Sequence, residues 1–180
     1  MSGPATIVLM GLRGSGKSTL GRRLADALGR AFVDLDDRTA AALGCDTPGA
    51  ALRERGEPAF RAAEADALRA AIDEGAIVLA LGGGTPTAAG TADLLRERVA
   101  AGRAAVVYLR ASADTLAERL AVAGGPERPA LVGADPIAEI GTLFARRDPI
   151  YRELAGSVLH LDGVSEDTAL AMLAAWARDA

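Results

Sequence analysis

Nine consecutive residues, Gly11-Leu12-Arg13-Gly14-Ser15-Gly16-Lys17-Ser18-Thr19, have the types and spacing of a phosphate loop, G-x-x-x-x-G-K-[ST]. Glycines let the backbone turn where a Cβ would clash, so successive N–H groups can face one anion. Residues Gly14, Ser15, Gly16 and Thr19 form the expected cradle, and Lys17 adds a compact, mobile charge for the β- and γ-phosphates. The Ser18 hydroxyl suits Mg²⁺, which prefers oxygen ligands. Lys17 is also the only lysine in the chain. The planar fork of arginine does not replace a small ammonium that must follow a moving phosphate, so this single lysine supports the reading. A chance glycine-rich turn is the bland alternative.

Other chemistry-bearing residues lie farther along. In Phe32-Val33-Asp34-Leu35-Asp36 two carboxylates stand two residues apart, which in an extended segment points them the same way. One could reach Mg²⁺ through water and the other accept a proton from an attacking hydroxyl; helix capping or plain solvation is the alternative. Gly82-Gly83-Gly84 allows backbone to approach a ligand closely, or is a flexible connection. Arg61 could grip a carboxylate while Glu64, one turn away, holds it; a surface ion pair is the alternative. Arg128, among prolines and glycines, could close over the phosphates. For Arg146, Arg147 and Arg152 on one helix, solvated charge is the ordinary expectation, and His160 and Cys45 read as structural. The chain has no asparagine and no glutamine. The usual guanine-reading and water-positioning residues of GTPases are therefore missing, which favours phosphoryl transfer to a small acceptor.

These residues need a scaffold. Strands are expected at 6–10, 31–35, 76–81, 104–109 and 157–161. Helices are expected at 18–28, weakly at 39–43, from Pro48 to Arg53, and at 57–74, 91–101, 112–122, 137–154 and 166–177, the 137–154 helix interrupted or ended near Pro149. Apolar strands alternating with helices predict a three-layer α/β/α domain with a five-stranded parallel sheet, and ligands beyond the carboxyl ends of its strands. Residues 1–180 are read as one domain. The charge of −4 gives no reason to expect nucleic-acid binding. One cysteine excludes an internal disulfide. No secretory signal or membrane span is evident, so a soluble cytoplasmic protein is expected.

Six motifs occur in the order found in shikimate kinases. They are the phosphate loop with Gly21-Arg22-Arg23-Leu24-Ala25, Phe-x-Asp-x-Asp, Gly56-Glu57-x-x-Phe60-Arg61-x-x-Glu64, Gly82-Gly83-Gly84, Arg128-Pro129-x-Leu131 and Arg147-x-Pro149-x-Tyr151. The chain thus resembles that family from the first strand to Tyr151. The resemblance implies the P-loop kinase fold of the nucleoside monophosphate kinase group, and transfer of the ATP γ-phosphate to the 3-hydroxyl of shikimate. It implies Asp36 as hydroxyl ligand and proton acceptor, and Asp34 beside Ser18 at Mg²⁺. It places Arg61, Arg147 and the glycine triplet at the acceptor, Arg128 as lid arginine and Arg119 against adenine. An acceptor-binding subdomain at about 34–75, a mobile lid at about 121–135 and a monomeric state also follow from it. The family's Ile-Glu pair is Thr39-Ala40 here, and its helix-ending phenylalanine is Leu52. That substituted stretch motivates a second reading, a same-fold kinase for another hydroxy acid such as gluconate; a third, a nucleotide-binding module without turnover, has Lys17, Ser18, Asp34, Asp36 and Arg128 against it.

Overall fold

The computed structural model describes residues 5–122 and 138–179. Five strands, β1 (Thr6–Met10), β2 (Phe32–Asp34), β3 (Val78–Ala80), β4 (Ala104–Arg110) and β5 (Ser157–His160), form one sheet in the order β2-β3-β1-β4-β5. Every pairing is parallel. β1 and β3 are buried throughout because helices cover both faces, whereas β2 and β5 lie half-exposed at the edges. The helices are α1 (Lys17–Leu28), α2 (Leu35–Ala42), α3 (Pro48–Glu74), α4 (Thr91–Ala100), α5 (Ala113–Val122), α6 (Ala138–Leu154) and α7 (Glu166–Asp179). The expected three-layer α/β/α P-loop kinase architecture with a five-stranded parallel sheet is the one observed.

Strand order explains why distant sequence segments meet. β2, β3 and β1 are neighbours, with Asp34 level with Ala80 and Ala80 level with Leu9. The connections that leave these three carboxyl ends are the Asp34–Asp36 segment, the glycine triplet and the phosphate loop. Adjacent strands lie about 4.8 Å apart, so the three connections share one crevice.

Several boundaries differ from the sequence-based expectation. β2 ends at Asp34, and Leu35, fully buried, already begins α2. Helical structure is continuous by hydrogen bonding from Pro48 to Glu74, but Gly56 breaks it with φ 79° and ψ 161°. The expected pair of helices is thus present, joined at a residue whose conformation only glycine adopts without strain. Pro149 does not end its helix, since α6 runs through it to Leu154. The missing N–H and the steric pressure of the ring are tolerated because residues on both sides of Pro149 are tied to the sheet, as described below. Ser112 does cap α5, its hydroxyl accepting from the Thr115 N–H at 3.3 Å. The expected lid at about 121–135 lies, apart from its first residues, outside the described residues.

Beside the main core, Ala40, Cys45, Ala51 and Phe60 form a second small cluster between α2 and α3, with Leu52 packed against it. Thr39 is buried, and its hydroxyl donates to the Leu35 carbonyl at 2.7 Å. Two of the positions that depart from the family pattern, Ala40 and Leu52, thus belong to a packed cluster.

Candidate active site

The phosphate loop is built by its glycines. Gly14 and Gly16 have φ of 83° and 88°, and Gly16 begins α1 with no side chain capping it. The first-turn amides of a helix start have no intrahelical acceptor, and with the positive end of the helix dipole they make it a ready anion site. A Cβ on Gly11 would lie 2.6 Å from Ser15 Oγ and 2.8 Å from the Leu109 carbonyl, so only glycine permits this fold of the loop. Ser15 is buried, and its hydroxyl has no hydrogen-bond partner among the described residues. The Lys17 ammonium donates to the Gly11 and Leu12 carbonyls at 2.8 and 3.0 Å, which folds it back over the loop. An uncapped helix start, a cradle closed to side chains and an ammonium above it suit a nucleotide's phosphates.

Ser18 Oγ donates to Asp34 Oδ2 at 2.7 Å. A hydroxyl and a carboxylate at the start of α1 are hard oxygen donors of the kind that Mg²⁺ takes, so these residues fit that ion. The other oxygen of Asp34 accepts from the Asp36 N–H at 3.2 Å and caps α2. Strand alternation therefore does not bring the two acids together, contrary to the expectation. Asp34 ends β2 as a cap, and Asp36 occupies the first turn of the helix. Asp36 is pushed up from 3.8 to about 6, by burial first and then by the negative charges of Glu64 and Asp34, with Lys17 and Arg61 opposing.

The glycine triplet forms the far wall. A Cβ on Gly82 would meet Asp36 Oδ1 at 2.2 Å, and one on Gly84 would meet Arg61 Nη2 at 2.8 Å. The Gly83 carbonyl accepts from Arg147 Nη1 at 2.7 Å and from the Tyr151 hydroxyl. Asp36, Arg61 and Arg147 are thus spread along one strip of side-chain-free backbone. Arg61 is held by Glu64 at 2.8 Å. Glu64 is only 1 % exposed and also accepts from the Thr85 hydroxyl. The Arg61–Glu64 pair is therefore more than a surface pair, since its carboxylate is buried and the guanidinium lies against the triplet, while a second bond of 3.4 Å reaches the exposed Glu57.

Arg119 donates from Nη2 to the Leu161 carbonyl at 3.0 Å, linking α5 to the end of β5. Thr19 lies in the first turn of α1. Arg128 lies outside the described residues. His160 is exposed at the edge strand, apart from the crevice. Tyr151, Thr85 and the Asp148 carboxylate with its partners were not singled out from the sequence as site-building residues. Tyr151 carried a usable signal, since it lies four residues after Arg147 and so on the same helix face. Thr85 had none beyond its place after the glycines.

A family model described as shikimate kinase matches residues 13–176. The chain belongs to the shikimate kinase family. Among curated relatives, the shikimate kinase of Bordetella avium is 41 % identical over 85 % of this chain and 69 % of its own length. That of Oleidesulfovibrio alaskensis is 41 % identical over 85 % of this chain and 86 % of its own. Among solved structures, shikimate kinase from Acinetobacter baumannii in complex with shikimate superposes with a TM-score of 0.82 at 32 % identity. That match covers 98 % of this chain and 94 % of the other. Membership makes the chain an ATP-dependent small-molecule kinase, and among the described residues no helix is long and apolar enough to cross a membrane.

Proposed function

We propose that this chain transfers the γ-phosphate of ATP to the 3-hydroxyl of shikimate, a step of aromatic amino acid biosynthesis. The observation that carries the reading is the strip at Gly82-Gly83-Gly84, where Asp36, Arg61 and Arg147 converge beside the Lys17 loop. An acceptor with both a carboxylate and hydroxyls needs two things, guanidinium groups that bond the first bidentately and a base for the second. Both line the same wall. A carboxylate pushed up to about 6 is still largely ionised at neutral pH, yet more basic than an ordinary one. As the acceptor oxygen bonds to phosphorus, its proton passes to Asp36, and the bond from phosphorus to the departing ADP oxygen breaks.

Around that step the other residues position and neutralise. Gly14, Ser15, Gly16, Lys17, Ser18 and Thr19 hold the triphosphate, and Arg61 and Arg147 orient the acceptor carboxylate. Ser18 and Asp34 would hold Mg²⁺, which supplies charge neutralisation to the phosphates. Arg128 is assigned to the closing segment and Arg119 to the adenine edge. Residues 34–75 are assigned to the acceptor side and about 121–135 to the lid. The same reading makes the chain a cytoplasmic monomer without nucleic-acid or membrane partners, checked by sedimentation and fractionation. The decisive test is ADP release with shikimate, quinate and gluconate as acceptors. Preference for shikimate supports the proposal; preference for gluconate, or ATP binding without acceptor-dependent turnover, rejects it.

A further inference from the structure

The crevice is supported by a group that does not enter it. Asp148, on α6 beside Arg147, points away from the glycine triplet toward β4. Its Oδ1 accepts from the Tyr108 hydroxyl at 3.0 Å and from Arg110 Nε at 2.7 Å. Its Oδ2 accepts from Arg152 Nε at 2.8 Å. The carboxylate is 13 % exposed and stays ionised: burial acts against the charge, but the bonds from Arg110, Arg152 and Tyr108 outweigh it and hold its pKa below the usual value. Two further contacts join the same elements. The Tyr108 and Tyr151 rings meet edge to face with centroids 5.2 Å apart, and the Arg110 guanidinium lies 5.0 Å from the Phe144 ring centroid.

The need for such a tie is local. Proline at 149 removes a backbone donor from the middle of α6, and its ring disfavours helical conformation at Asp148 itself. The helix is therefore weakest where Arg147 and Tyr151 leave it to reach the Gly83 carbonyl. A helix with a weak turn takes its direction from tertiary bonds, and at this turn the carboxylate of Asp148 receives the bonds from β4.

We propose that Asp148 is a positioning residue for the acceptor's carboxylate: by tying α6 to Tyr108 and Arg110 of β4, it holds Arg147 in place at Gly83. This rests on the reading of Arg147 as a carboxylate ligand. Asp148 touches no part of the triplet, so it acts only through its neighbours.

The test is steady-state kinetics with ATP and shikimate on the full chain. Asp148→Ala is expected to raise the KM for shikimate by about 10- to 100-fold, the scale of a displaced positioning group. The KM for ATP should stay within about twofold, since Arg147 sits at the acceptor wall at Gly83; loss of folded protein would instead lower the rate and leave both KM values unchanged. Asp148→Asn keeps an Oδ1 that can accept from Tyr108 and Arg110, and should restore most of the loss. In an Arg147→Ala background, Asp148→Ala should add little further increase. If Asp148→Ala does not fold, Tyr108→Phe, which deletes one hydrogen bond and keeps the ring, should give the same selective rise at smaller amplitude. Equal changes in both KM values, no change in either, or multiplicative effects of Asp148→Ala and Arg147→Ala would overturn the proposal. Wild-type turnover of shikimate tests the underlying reading separately, so either can fail without the other.

Discussion

Asp36 combines a catalytic assignment with a structural cost. Its pKa in the folded chain is about 6, against an ordinary 3.8. Between those values the folded chain holds a proton that the unfolded chain has released, so stability from this group falls as pH rises through the interval. At neutral pH the ionised group is therefore unfavourable. Asp36→Asn should raise thermal stability by up to about 3 kcal/mol at pH 7 while abolishing turnover. A calorimetric scan showing no gain would contradict burial as the cause of the shift. The same pKa predicts an acid limb near pH 6 in the wild-type kcat/KM profile. Lys17→Ala should lower kcat by about 10²–10³-fold, the scale of one preorganised donor, with an unchanged circular dichroism spectrum. Arg61→Ala should weaken acceptor binding by about 2–5 kcal/mol, read as a rise in shikimate KM far beyond that for ATP. It also leaves the buried Glu64 with Thr85 alone, so the melting temperature should fall too.

Helices and connections add constraints that no single side chain carries. Gly56 turns α3 so that the segment from Glu57 onward brings Arg61 to the triplet, using a backbone conformation that a Cβ disfavours. Gly56→Ala should cost about 1–3 kcal/mol in denaturant unfolding and raise the KM for shikimate more than that for ATP. Equal stability would mean that the bend has other support. Gly82→Ala is a different case, since Gly82 needs no left-handed backbone. Its added methyl would occupy the place of Asp36 Oδ1 and press on Thr85 Oγ1, so kcat should fall sharply and overpacking should cost about 1–3 kcal/mol in unfolding.

For the molecule as a whole, the site is assembled from the ends of three neighbouring strands, from α3 and from α6, whose orientation is referred to β4. Ligands that touch several of these parts should couple them. Shikimate at a hundred times its Kd stabilises the folded state by about 2.7 kcal/mol through mass action. Hydrogen exchange with shikimate bound should slow at the carboxyl ends of β2 and β3 and around Gly83, with little change in α7. Equal slowing across the chain would point to nonspecific stabilisation. The small α2–α3 cluster, built on alanines, Cys45 and Phe60, buries far less than the main core and is the expected place for local opening.

What could be read directly in the sequence was short-range. The phosphate loop, the buried strands and their alternation with helices depend on neighbours in the chain, and nine contiguous residues suffice to define the anion cradle. The six ordered motifs also identified the family. Pro149 and the paired acids Asp34 and Asp36 are where distant contacts override local preference. α6 passes through Pro149 because β4 holds it, and Asp34 and Asp36 converge through a helix cap instead of a strand. The order of the strands, which no local pattern encodes, decided that the glycine triplet would lie between the acids and the phosphate loop. Burial of Glu64 and the bonds of Asp148 to β4 join residues 21 to 40 positions apart. Only packing the chain onto itself brings such groups within reach, and with them the orientation of the two arginines.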